Sequence, residues 1–205
     1  MRFVNKNLLK TDPGSVEFTR HFGTIARMST PYLVEPLSAT KHLRDEFVCE
    51  EKELTEYLQR RALAEMSARA SACFVLVPKA DPRLVAGFYT LSAATISLGK
   101  LPPELTAELP NYPSLPATLL GRLARDEKLR GKGLGDLLLV SALQRALSSS
   151  TNVGSIAVVT DPKNAKAEKF YRKFGFRQLG GGRRLFLPMK EIASSLKMGG
   201  AIRLL

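Results

Sequence analysis

At 205 residues, 44% hydrophobic and 24% charged, the chain has the make-up of one globular domain large enough to bury a core without disulfides. Lys and Arg outnumber Asp and Glu by 31 to 19, and the net charge of +12 favours polyanionic partners, nucleic acid first, with a merely solubilising basic surface as the alternative. Two cysteines without metal-ligand spacing and no apolar run of membrane length lead to the expectation of a soluble, cytoplasmic protein with reduced thiols, no metal and no membrane partner.

In chain order, residues 1–29 mix the turn Asp12-Pro13-Gly14 with Phe3, Val4, Phe18 and Phe22 but keep no period. A loosely attached arm is expected there, disordered or contributed by an upstream start site. Met28-Ser29-Thr30 directly precedes the first strand-like run, Tyr32 to Leu37, where the fold is expected to begin. Phe47 to Ala68 reads as an amphipathic helix with Leu54, Tyr57, Leu58, Leu63 and Met66 near one face. Ala72 to Val77 and Leu84 to Ile96 read as strands joined by the turn Lys79-Ala80-Asp81-Pro82. Lys100 to Pro116 holds five prolines and is expected to be irregular.

Leu119 to Ala124 then reads as a core strand, Arg130-Gly131-Lys132-Gly133-Leu134-Gly135 as a glycine loop and Leu137 to Leu147 as a helix. Alternate glycines at the mouth of a helix let the backbone approach a diphosphate, with the unpaired N–H groups of the first turn aimed at it. Such a loop taken alone is more often a plain turn than a ligand site. Beyond it come a β-branched strand, Ser155 to Thr160, and a short helix, Ala165 to Phe174. A hairpin turn at Gly180-Gly181-Gly182 and a last strand, Arg184 to Pro188, come next, and residues 191–205 are expected to form a tail.

The pattern Arg-x-x-Gly-x-Gly (Arg130, Gly133, Gly135), with Phe170-Tyr171-Arg172-Lys173-Phe174-Gly175-Phe176 some thirty-five residues on, resembles the acetyl-coenzyme A site of GNAT acetyltransferases. The strand Leu84 to Leu91 and the run Leu185-Phe186-Leu187-Pro188-Met189-Lys190 are also similar to family patterns. The resemblance implies a mixed α/β GNAT acyl-CoA N-acyltransferase fold over residues 30–190, a twisted mixed sheet with helices on both faces.

A narrower likeness lies at Phe47-x-Cys49-x-x-x-x-Leu54-x-x-Tyr57-Leu58, which resembles the opening of the first helix in GNAT toxins that acetylate the amino acid on charged tRNA. Glu50 stands where that branch usually has glycine, and Thr55 where it usually has aspartate. The branch implies an acetyl-CoA-dependent toxin acting on aminoacyl-tRNA, a small DNA-binding antitoxin of ribbon-helix-helix type and a homodimer. The alternatives are an N-acetyltransferase for a small amine or a protein, and a non-catalytic GNAT-like binding module.

By the same resemblance, Tyr171 is the acid that protonates the departing thiolate. The backbone of Leu123, Ala124 and Arg125 pairs with the pantetheine arm, although the branch usually has an apolar residue where Arg125 stands. Arg130, Gly131, Lys132, Gly133, Leu134 and Gly135 form the pyrophosphate cradle, and Phe170 and Asn164 belong to the coenzyme site. For Asn164 a helix N-cap is the commoner role.

The basic excess clusters near these positions, and Arg122, Lys169 and Arg172 are the candidates for tRNA phosphates. No Asp or Glu stands out as a general base. An α-amino group titrates near ~7.7 to 8.0, lower still when its carboxylate is esterified, whereas a lysine side chain lies near ~10.4. The lack of a base suits an aminoacyl ester better than a lysine acceptor.

Overall fold

The structure, a computed structural model, describes residues 30–198; the expected arm at 1–29 and the end of the expected tail lie outside the described residues. Seven strands form one sheet in the order β1-β2-β3-β4-β5-β7-β6. They are β1 (Tyr32–Pro36), β2 (Ala72–Pro78), β3 (Gly87–Ser97), β4 (Ser114–Arg125), β5 (Ala157–Thr160), β6 (Arg177–Gln178) and β7 (Leu185–Pro188). Strands β1 to β4 are an antiparallel meander, β4 and β5 are parallel, and β5, β7 and β6 are again antiparallel.

Alternation along the strands sends side chains to both faces, and both faces are covered. Leu76, Tyr89, Leu120, Val158 and Leu187 face helices α3 (Leu134–Ser150), α4 (Ala165–Lys173) and α5 (Met189–Met198) in one core. Their neighbours Val75, Val77 and Phe88 face a helix over Lys52–Ser67, α1, in a second core, and Ala157, Val159 and Phe186 face the proline-rich connection in a third. Helix α3 buries Leu138, Leu139, Leu143 and Ala146 along one side. Each buried leucine contributes about 1.5–3 kcal/mol. Gly87 is what lets α3 come so close: a Cβ there would lie 2.7 Å from Leu138 Cδ1 and 2.8 Å from the Ala124 carbonyl oxygen.

Three boundaries differ from the sequence expectation. Helix α1 is built from Lys52–Glu56, a π-helical stretch Tyr57–Arg61 and Ala62–Ser67, so it starts five residues after Phe47. Phe47, Val48 and Cys49 are held outside it by tertiary bonds. Val48 N–H donates to the Asp126 carboxylate (3.4 Å), Glu127 N–H to the Val48 carbonyl (2.9 Å) and Cys49 N–H to Thr55 Oγ1 (3.0 Å). The proline-rich connection contains one helical turn, α2 (Pro103–Thr106), with proline at its start where no N–H is needed, and β4 already begins at Ser114. Finally, α5 runs well into the expected tail and buries Ile192 against the sheet.

Candidate functional site

The sheet opens between β4 and β5. Their register pairs only Thr118 with Val158 and Leu119 with Val159; one step on, the Leu120 carbonyl accepts instead from Thr160 Oγ1 at 3.0 Å. On the other edge of β4, the register with β3 slips at Gly121, which lies between the pairs Thr90↔Arg122 and Leu91↔Leu120. A bulge of this kind bends a strand and re-aims the residues beyond it. Leu123, Ala124 and Arg125 therefore line an open cleft of about 300 Å³ together with Gly135, Thr160, Asn164, Phe170 and Tyr171.

At one end of this cleft the chain passes from β4 into α3. Gly131 and Gly133 have φ of +81° and +71°, and a Cβ on either would meet nothing within 4 Å, so the space above the loop is open. Gly133 is the N-cap of α3 and offers no side-chain acceptor, and the first intrahelical bond is Leu137 N–H to the Gly133 carbonyl. The preceding N–H groups of Leu134 and Gly135 have no intrahelical partner, and they lie at the positive end of the helix dipole. A phosphate or diphosphate fits these donors. Leu134 contributes only its backbone there, because its side chain is buried in the core. Gly135 has a packing role as well: a Cβ on it would lie 3.6 Å from the Phe170 ring.

On the facing wall, Tyr171 is 7% exposed, its ring 5.3 Å from that of Phe170 and 5.4 Å from that of Phe176. Burial pushes its phenol up to about 12, and the Thr160 hydroxyl beside it works in the opposite direction. It is a side chain that keeps its proton at neutral pH and can donate it in a hydrogen bond to negative charge developing beside it. Asn164 caps α4 by accepting from Ala167 N–H (2.9 Å) and also donates to Glu51 (3.3 Å).

Charged groups bridge the cleft. Glu50 Oε1 lies 2.9 Å from Arg125 and 3.5 Å from Arg130, and its Oε2 lies 2.8 Å from Lys166. Glu51 and Glu53 hold Lys163 at 2.8 and 3.0 Å. Lys166, first, and Arg125 hold the Glu50 carboxyl down to about 2. The third carboxylate lining the cleft, Asp161, pairs with Arg184 at 2.6 Å. Each acid on the cleft wall is thus ion-paired.

The remaining expected positions are more dispersed. Arg122 lines the cleft, but its guanidinium is stacked 3.6 Å over Tyr57 and lies 3.4 Å from Glu65. Arg172 is exposed and pairs with Glu168 at 2.8 Å on its own helix. Lys169 and Lys132 are exposed, and neither makes an ion pair with another described residue. Both cysteines are buried free thiols. Among the described residues no group of three or more His, Cys, Asp or Glu is arranged to hold a metal, and no helix is long and apolar enough to cross a membrane. Sequence reasoning missed Thr160 and the Gly121 bulge. The β-branched run that ends at Thr160 and the glycine in mid-strand were the available signals.

The model of the Acetyltransferase (GNAT) family matches residues 38–176. A tRNA-acetylating toxin of Mycobacterium tuberculosis is 35% identical over 126 residues, which cover 62% of this chain and 73% of that protein. Among solved structures, AtaT complexed with acetyl-methionyl-tRNAfMet superposes with a TM-score of 0.74 at 29% identity over 80% of this chain and 98% of that one. A tyrosine-to-phenylalanine variant of the AtaT toxin, bound to the C-terminus of the antitoxin AtaR and acetyl-CoA, does so with a TM-score of 0.69 at 26% identity, again over 80% and 98%.

Proposed function

The chain belongs to the GNAT acetyltransferase family, and on that premise we propose that it moves the acetyl group of acetyl-coenzyme A onto the α-amino group of an amino acid carried on tRNA. The observation that carries this reading is the meeting, in one cleft, of the free backbone edge of β4, the bare N-terminus of α3 and the protonated phenol of Tyr171. The coenzyme supplies the activated acetyl thioester. Leu123, Ala124 and Arg125 hold its pantetheine arm as an added strand would be held. The backbone from Gly131 to Gly135, with Arg130 and Lys132, receives its phosphates, and Phe170 closes that end.

Tyr171 donates its proton to the sulfur as the thioester breaks. No carboxylate need deprotonate the acceptor: Glu50, Glu51 and Asp161 are all committed to cations, and an aminoacyl ester is largely unprotonated at neutral pH. This pairing supports an α-amine acceptor over a lysine side chain. The relatives that acetylate tRNA or carry an acetyl-aminoacyl-tRNA support the same acceptor, and the toxin bound to AtaR supports an antitoxin partner, here expected to be a small DNA-binding protein. Lys169, Arg172 and Arg122 are the residues proposed to meet tRNA phosphates in the cytoplasm, in a homodimeric enzyme.

The test is direct. The protein is incubated with labelled acetyl-coenzyme A and total charged tRNA, and mild base then releases the amino acid. Label on an N-acetyl amino acid is the expected result, falling steeply with added salt as phosphate contacts are screened. Label on a protein or polyamine, with none on charged tRNA, would overturn the acceptor.

A further inference from the structure

Two departures from the toxin pattern, Glu50 in place of glycine and Arg125 in place of an apolar residue, meet in space. Their side chains are 2.9 Å apart, and both line the cleft. Glu50 also reaches Arg130 of the glycine loop at 3.5 Å and Lys166 of α4 at 2.8 Å, so a single carboxylate engages three cations from three elements. Those elements are the end of β4, the loop before α3 and the first turn of α4, and Glu50, Arg125 and Lys166 all line the cleft.

The backbone that carries Glu50 cannot drift away. Val48 is bonded on both its N–H and its carbonyl, to Asp126 and Glu127, and Cys49 N–H is bonded to Thr55 Oγ1. Thr55, the third departure, is thus part of the anchorage. The Glu50 side chain itself is 39% exposed, able to swing aside while its backbone stays.

We infer that Glu50 is an internal anion which neutralises Arg130 of the glycine loop and its neighbours Arg125 and Lys166 until coenzyme phosphate displaces it, and so sets how tightly the coenzyme binds. The inference rests on the acyl-coenzyme A reading of the cleft. The Glu50 carboxylate cancels part of the positive potential that Arg125, Arg130 and Lys166 would otherwise offer a phosphate, and two anions at one cation cluster repel each other. Binding therefore exchanges one set of charge-assisted bonds for another, and removing the competing anion leaves the exchange more favourable. Glycine, usual at this position, brings no such competitor. Its replacement by Glu50 beside Arg125 makes coenzyme affinity in this chain dependent on displacing a side chain.

The test is titration calorimetry of acetyl-coenzyme A into the wild type, Glu50→Gln and Glu56→Gln. Glu56 is an exposed acid of α1 whose ion pair is with Lys52, away from the cleft, so its variant controls for net charge alone. Glu50→Gln is expected to bind roughly threefold to tenfold more tightly than the wild type, the range for releasing a few exposed ion pairs, and Glu56→Gln to bind as the wild type does. The gain should shrink as salt is raised. Unchanged or weaker binding by Glu50→Gln, in a variant that melts like the wild type, would overturn the inference and make Glu50 a brace for the cations. An equal gain in Glu56→Gln would overturn it in favour of general electrostatics. Should the wild type and both variants bind no coenzyme, the acyl-coenzyme A reading itself would fall.

Discussion

Replacing Gly133 by leucine separates the ligand cradle from the fold that carries it. The residue sits at φ +71° with nothing within 4 Å of a Cβ, so the cost in the free protein is taken as the strain of the left-handed conformation. That strain is ~1–2 kcal/mol. At roughly 2–4 °C per kcal/mol for a chain of this size, the melting temperature of the free protein should fall by about 2–8 °C. In the wild type, coenzyme at a hundred times its Kd should stabilise by ~2.7 kcal/mol and raise the melting temperature by about 5–11 °C. The leucine side chain would stand in the open space over the first turn of α3 and keep a phosphate off the Leu134 and Gly135 N–H groups. Its ligand-induced shift should therefore shrink to near zero while circular dichroism remains native. Calorimetric scans with and without acetyl-coenzyme A check both numbers. A full shift in the variant would mean that the phosphates are held elsewhere, whatever happens to the free protein.

Tyr171→Phe keeps the ring packed against Phe170 and Phe176 and should keep the coenzyme-induced shift, while turnover falls by about 10²-fold or more. Because burial disfavours the phenolate, the wild-type minus Tyr171→Phe difference in an ultraviolet titration should stay flat through neutral pH and rise toward about 12; a rise near neutral pH would refute the assignment of a protonated acid. Gly87→Ala forces a Cβ to 2.7 Å from Leu138 and 2.8 Å from a carbonyl oxygen, and should destabilise by ~1–3 kcal/mol in urea unfolding; an unchanged midpoint would mean that α3 is free to move away. Lys169→Glu should weaken acetylation of charged tRNA and spare slow acetylation of a free aminoacyl ester, and equal loss on both would remove it from the tRNA surface. Arg122→Glu is a poorer probe of that surface, since Tyr57 and Glu65 also lose their partner.

Most strands and the glycine loop were legible because period-two alternation and the Gly131 and Gly133 punctuation are local signals, but β4 starts five residues before its expected beginning and the two-residue β6 was not read. The start of α1 was not. Phe47 to Cys49 continues the helical pattern of apolar residues, yet Asp126 and Glu127, nearly eighty positions away, take up its backbone groups. Helix α5 was hidden for a similar reason, its amphipathic run being short enough to read as an end until Ile192 finds the sheet. The cleft was legible in its floor and its acid, Leu123 to Arg125 and Tyr171. It was illegible in its electrostatics. Sequence counts Lys163, Lys166, Arg125 and Arg122 as surplus charge, whereas folding brings Glu51, Glu50 and Glu65 to them across 57 to 116 positions. Ion pairing leaves the net charge as it is and moves the unpaired part of it away from the cleft wall.

The two register pairs between β4 and β5 also bear on the order in which the molecule assembles. Strands β2, β3 and β4 pair in chain order across short connections, whereas β5 reaches β4 only through a parallel crossover that must carry α3 with it. The meander should consolidate first and the last third of the chain should dock onto it late, joined along a seam two residues long. Both walls of the cleft exist only once that docking has happened, so a chain still being synthesised carries no working site. Hydrogen exchange should find the amides of Ala157–Thr160 opening ahead of those of β2 and β3, and a coenzyme gripped from both sides of the seam should slow the former most.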